Sequence, residues 1–117
     1  MNKKEYFYRV GILRNDNTGL WYNQKGEFTG LIYEKYDWLG ASKLQMPFDT
    51  EIIGYLSVAD SMKHLYQWFT KDEILRLQLD GYAIFEYVAD DFKFYDLYQH
   101  NVINQKTNTI NNIIKLV

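Results

Sequence analysis

Cysteine is missing from this 117-residue chain, and proline occurs once, at Pro47. Without a thiol there is no disulfide frame, no thiolate zinc site and no cysteine nucleophile. Histidine is scarce, with only His64 and His100, and neither stands in H-E-x-x-H, in H-x-H or in a histidine–carboxylate cluster. A metal site is therefore not expected. No apolar run approaches the ~20 residues that a membrane-spanning helix requires. Neither sign of charge dominates: 13 basic and 15 acidic side chains leave a net charge of -2. Nucleic-acid binders usually carry a basic face, so that class is disfavoured. The first residues, MNKKEYFYRV, include lysines but no apolar signal core. The expected location is the cytoplasm. Gly11, Gly19, Gly26 and Gly30 follow no phosphate-loop or dinucleotide-loop spacing. Asp90 and Asp91 are adjacent, so they read as a turn and not as a catalytic carboxylate pair. Ser57 lacks the G-x-S-x-G frame of a strained nucleophile.

What the chain has in excess is aromatic rings. Tyrosine occurs 11 times, and aromatics make up 18% of the residues. Each buried tyrosine hydroxyl needs a partner, so many of these rings belong at or near water. The plain explanation is strand residues with wet hydroxyls. The sharper one is a stacking or protein-binding surface, because tyrosine and tryptophan are enriched at interfaces.

The best-patterned stretch is Leu56 to Ala89. Ser57 or Asp60 is placed to cap a helix that carries Met62, Leu65, Tyr66 and Phe69 on one face. Thr70 and Glu73 form T-x-x-E, the signature of a capping box. They predict a second helix with Ile74, Leu75, Leu77 and Leu79 on its apolar side. Asp80-Gly81 ends it, since glycine suits the left-handed position after a helix. Tyr82 to Val88 reads as a central strand. Ala83, Phe85 and Tyr87 face one way, and Tyr82, Ile84, Glu86 and Val88 face the other.

Upstream, Glu5 to Leu13 reads as a strand that sets Arg9 on the same side as Phe7 and Leu13. A guanidinium there needs an ion-pair partner such as Glu86 or an aspartate, a ligand, or water at a strand edge. Asn15 to Gly19 and Asn23 to Gly26 read as turns around a short strand, Leu20–Tyr22. Glu27 to Tyr33 is expected to continue a meander. Glu34 to Pro47 is irregular, a helical turn or an aromatic loop. Asp49 to Tyr55 reads as a short helix leading into a strand. Downstream, Phe92 to Tyr95 alternates weakly and Gln99 to Asn104 reads as a strand. Ile110 to Val117 forms a last strand, a short helix or an apolar tail for self-association. The expected fold is α+β in one domain: a small, mostly antiparallel sheet with the two-helix unit 60–80 on one face. The aromatic loop beside such a sheet reads equally as a binding element and as a lid over the core; on the binding reading, Trp21, Tyr22, Tyr33, Tyr36, Asp37 and Trp38 are the candidate surface. Asp90 and Asp91 add acidic complementarity to a basic partner.

Two resemblances accompany these patterns. YRVGI, GLWYNQKGEFTGLI, LQMPFDTEIIGYLS, LYQWFT and GYAIFEYVADDFKFYD resemble short uncharacterised proteins of phages and mobile elements. Proteins of that kind often inhibit host defence, as anti-CRISPR proteins do. This resemblance implies an inhibitor of a host defence protein. Separately, an arginine in the first strand, a serine at a strand end before a helix, and G-Y-x-I-x-E-Y resemble a reduced ADP-ribosyltransferase-like fold. That resemblance implies a ligand such as NAD or a cyclic nucleotide held by Arg9 and Ser57, with Glu86 or Gln99 near the carboxylate position.

Overall fold

A computed structural model describes residues 4–13, 19–21, 30–43, 51 and 54–116. The fold is α+β. Its centre is strand β3, Tyr82–Ala89, which pairs antiparallel with β1, Glu5–Ile12, on one side and with β6, Thr109–Ile114, on the other. A second antiparallel sheet runs in the order β2, β5, β4, from Tyr55–Val58, His100–Asn104 and Phe92–Tyr95. The expected single sheet is thus two three-stranded pieces. They meet at one bridge, where Tyr8 and Ala59 exchange backbone hydrogen bonds of 2.8 Å each way.

The β3 strand is buried on both faces because both carry apolar side chains. Tyr82 and Ile84 pack beneath the helices, with Val10, Leu65, Phe69, Ile74 and Leu77. Ala83, Phe85, Tyr87 and Ala89 face a second cluster with Phe7, Leu56, Val58 and Ile103.

The helices follow the sequence pattern, with two corrections. Helix α2, Met62–Trp68, is capped by Ser61, whose hydroxyl accepts the His64 N–H at 3.0 Å. Neither Ser57 nor Asp60 takes that place. Ser57 is still in β2, and the Asp60 carboxylate is used on the His64 ring instead. Helix α3, Lys71–Leu79, starts at the expected capping box: Thr70 accepts from Glu73 N–H at 3.2 Å, and Glu73 accepts from Thr70 N–H at 2.8 Å. Ile74 and Leu77 are buried, but Leu79 is 87% exposed, in the last turn, beyond the reach of the core. Gly81 follows with φ 90°, the left-handed conformation that glycine adopts without steric cost.

Two other expectations change, and one set of alternatives is decided. Leu20 and Trp21 are not a strand; they lie in a bend whose carbonyls accept from Ile32 and Gly30. Tyr33 lies in no meander but in the one-turn helix α1, Leu31–Glu34. A 3₁₀ turn, Gly40–Lys43, follows it. The tail resolves into strand β6, and Leu116, two residues beyond it, is clamped by the Gln78 amide, which donates to its carbonyl and accepts from its N–H. The turns within 14–18 and 22–29, and the segment around Pro47, lie outside the described residues. Among the described residues, no helix is long and apolar enough to cross a membrane.

Candidate functional site

The segment that follows α1 is fastened to α3 at three points. Glu73, Arg76 and Asp80 stand at i, i+3 and i+7, which puts them on one side of the helix. Glu73 Oε2 accepts the Gly40 N–H at 2.9 Å. The Arg76 guanidinium lies over the Trp38 ring, its carbon 3.7 Å from the ring centroid. Asp80 Oδ2 accepts from the Tyr36 hydroxyl at 3.1 Å. The two chains run antiparallel, so successive turns of α3 grip alternate residues from 40 back to 36. Inside the segment, Leu39 N–H donates to Tyr36 O and Ser42 Oγ–H donates to Asp37 O, both at 3.0 Å.

These contacts sort the predicted aromatic surface. Tyr36 is buried, edge-on to Tyr82 at 5.4 Å between ring centroids. Burial, then the neighbouring Tyr82 and Asp80, push its phenol well above the ordinary range. Its role is to hold the segment down. Tyr33 is 45% exposed and Asp37 is exposed, while Trp38 is half-buried under Arg76. Trp21 is half-buried against Phe69, and its carbonyl accepts from Gly30 N–H at 3.4 Å. Trp21 therefore adjoins the start of α1, in the same region as Tyr33. Tyr22 lies outside the described residues. Of the acidic pair, Asp90 is exposed. Asp91 is an internal bracket that accepts from Asn104 Nδ2 at 2.8 Å and from the Tyr55 hydroxyl at 3.3 Å.

The second predicted set, Arg9, Ser57, Glu86 and Gln99, is not brought together. Residues paired across an antiparallel ladder share a face, and neighbours along a strand alternate. Tyr8 pairs with both Glu86 and Ala59, so Glu86 and Ser57 share the helix-covered face. Arg9, one residue on from Tyr8, lies on the other face, beside Tyr87, and is 9% exposed. Burial raises the Tyr87 phenol, and the Arg9 charge partly offsets that rise. Glu86, one of the partners considered for Arg9, is on the opposite face and does not pair with it. Glu86 accepts instead from the Tyr8 hydroxyl at 2.9 Å and from Asn111 Nδ2 at 2.6 Å. Gln99 is in the turn before β5, in the left-handed region at φ 59°, its amide donating to Asp96 O.

One constellation was not legible in the sequence. His64, Trp68, His100, Tyr98 and Tyr95 form a chain of rings with successive centroid distances of 4.5, 4.9, 5.4 and 4.9 Å. Asp60 Oδ1 lies 3.0 Å from His64 Nδ1 and orients that ring. His100 is 6% exposed, and its Nε2 has no hydrogen-bond partner among the described residues. Burial and then the nearby His64 lower its pKa to about 4, against a backbone hydrogen bond at Tyr98 that favours the charged form. A neutral His100 is thus part of the core. The i, i+4 spacing of His64 and Trp68 was a signal for half of this chain; the other half depends on β5 meeting α2. Among the described residues, no three His, Asp or Glu side chains are grouped to hold a metal ion.

No family model, no curated protein and no solved structure matches this chain.

Proposed function

We propose that this chain is a small protein-binding module of the phage anti-defence kind, which inhibits a host protein through the surface of Tyr33, Asp37 and Trp38. The observation that carries the proposal is the three-point attachment of residues 36–40 to α3. Ordering an aromatic loop at the moment of binding costs free energy for each side chain immobilised. Here the loop is ordered beforehand, by bonds that leave Tyr33 and Asp37 in water. Arg76 adds a planar cation on top of Trp38, and Trp, Tyr and Arg are the residues enriched among interface anchors. Asp37 supplies the acidic element, which steers encounter with a basic partner surface. Tyr36 and Trp21 support this surface from beneath, and the host target follows from the resemblance to phage and mobile-element proteins.

The test is photo-crosslinking from single positions in a host-cell lysate. A crosslinking residue at position 33 is expected to capture one protein. The same residue at Phe94, exposed on the opposite face of the sheets, is expected to capture none. Capture from position 94 alone, or from neither position, would overturn the proposal.

A further inference from the structure

We propose that β6 pairs with β6 of a second copy of this chain, making a closed two-fold dimer. Of the four edge strands, β1 and β2 meet at the Tyr8–Ala59 bridge, and β4 and β6 have no strand beside them among the described residues. An unpaired edge is a template for another strand, and proteins usually shield it by shortness or charge. The β4 strand has both: it spans four residues and carries an exposed Lys93. The β6 strand has neither. It spans six residues, and no charged or proline residue occurs from Thr107 to Ile114. It nevertheless exposes Ile110 at 40% and Ile113 at 46%.

The register of β6 makes it complementary to itself. Ile110 pairs with Tyr87 and Ile113 with Phe85, and Tyr87 and Phe85 share a face. In a regular strand, residues three apart point to opposite faces. The irregularity between Glu86 and Tyr87 places an extra residue in β6 and returns both isoleucines to one side. Antiparallel pairing about a two-fold between Asn111 and Asn112 then sets each Ile110 opposite Ile113 of the second copy. It also sets Thr109 opposite Ile114, and these two share the other face through Val88 and Ile84. Lys115 falls opposite Asn108, so no like charges meet. The contact is isologous, and it closes at two copies because each chain has one such edge.

Sedimentation of the full chain across a concentration series tests this. A monomer–dimer equilibrium is expected. Ile113→Lys faces Ile110 of the other copy with a charge and should weaken the dimer about tenfold or more. Ile110→Lys should do the same. Both side chains are exposed, so circular dichroism should show the fold retained. If one variant unfolds, the other serves alone; Thr109→Lys, which sets a charge against Ile114 of the other copy, provides a third. A monomer at all concentrations would overturn the proposal. So would a dimer that folded edge variants leave unchanged, or pairing of β6 only with another protein.

Discussion

Arg76 covers Trp38: its guanidinium carbon stands 3.7 Å from the indole centroid, within contact distance of the ring face. This pair sits in the middle of the three attachments between α3 and the segment 36–40, with Glu73–Gly40 on one side and Asp80–Tyr36 on the other. A cation over an indole contributes roughly 0.5–2 kcal/mol, depending on how far it is desolvated. Arg76→Ala should therefore lower stability in urea unfolding by about 1 kcal/mol. Arg76→Lys should recover only part of this, because an ammonium lacks the planar stacking surface. No change in either variant would mean that the stack contributes nothing to holding the segment.

Glu73 does more than the capping box requires. One carboxylate oxygen serves Thr70 N–H and the other serves Gly40 N–H. Thr70→Ala removes only the N-cap acceptor and should cost about 1 kcal/mol. Glu73→Ala removes half of the box and the anchor of Gly40. It should cost more, on the order of 2 kcal/mol. Chemical denaturation of the two variants gives the order directly.

The first of these contacts was readable in the sequence, and the second was not. T-x-x-E specifies its own partners three residues apart, and Asp80-Gly81 specifies a helix end by local backbone chemistry. The alternation in Tyr82–Val88 marked a strand buried on both sides. All of these are short-range. The spacing of Tyr33, Tyr36 and Trp38 identified an aromatic segment but carried no information on which ring turns inward. That depends on Asp80 and Tyr82, more than 40 residues away. The division into two sheets depends on a single bridge, Tyr8–Ala59. The ring chain requires His100, at the start of β5, to arrive beneath Trp68 at the end of α2.

Acid should destabilise the protein through His100. Its pKa falls from about 6.5 unfolded to about 4 folded, with burial as the leading cause. Between those values the unfolded chain binds the proton and the folded chain does not. Stability is therefore complete above about pH 6.5 and declines as pH falls toward 4. The full difference is about 3 kcal/mol. Urea midpoints measured from pH 7.5 to 4 should show this decline, and His100→Phe should flatten it. An unchanged slope in that variant would assign the acid sensitivity elsewhere.

Nucleotides should leave the melting temperature unmoved. Arg9 and Ser57 project from opposite faces of the joined sheets, so one small ligand does not reach both. Arg9→Ala should instead lower stability by roughly 2 kcal/mol, because it hollows a buried site beside Tyr87. A shift of several degrees with NAD, ADP-ribose or a cyclic nucleotide, lost in Arg9→Ala, would contradict this arrangement, since a ligand that binds only the native state stabilises it by mass action.

The most direct measurement is the affinity of the captured partner for the wild-type chain, for Tyr33→Ala, for Asp37→Lys and for Phe94→Ser, each with its unfolding midpoint. Tyr33 and Asp37 are expected to lose binding about tenfold or more each, as interface anchors do, with midpoints near wild type. Phe94→Ser, on the opposite face, should bind as wild type. Equal affinity across all four proteins, or loss at Phe94 alone, would place the working surface away from the segment that α3 holds.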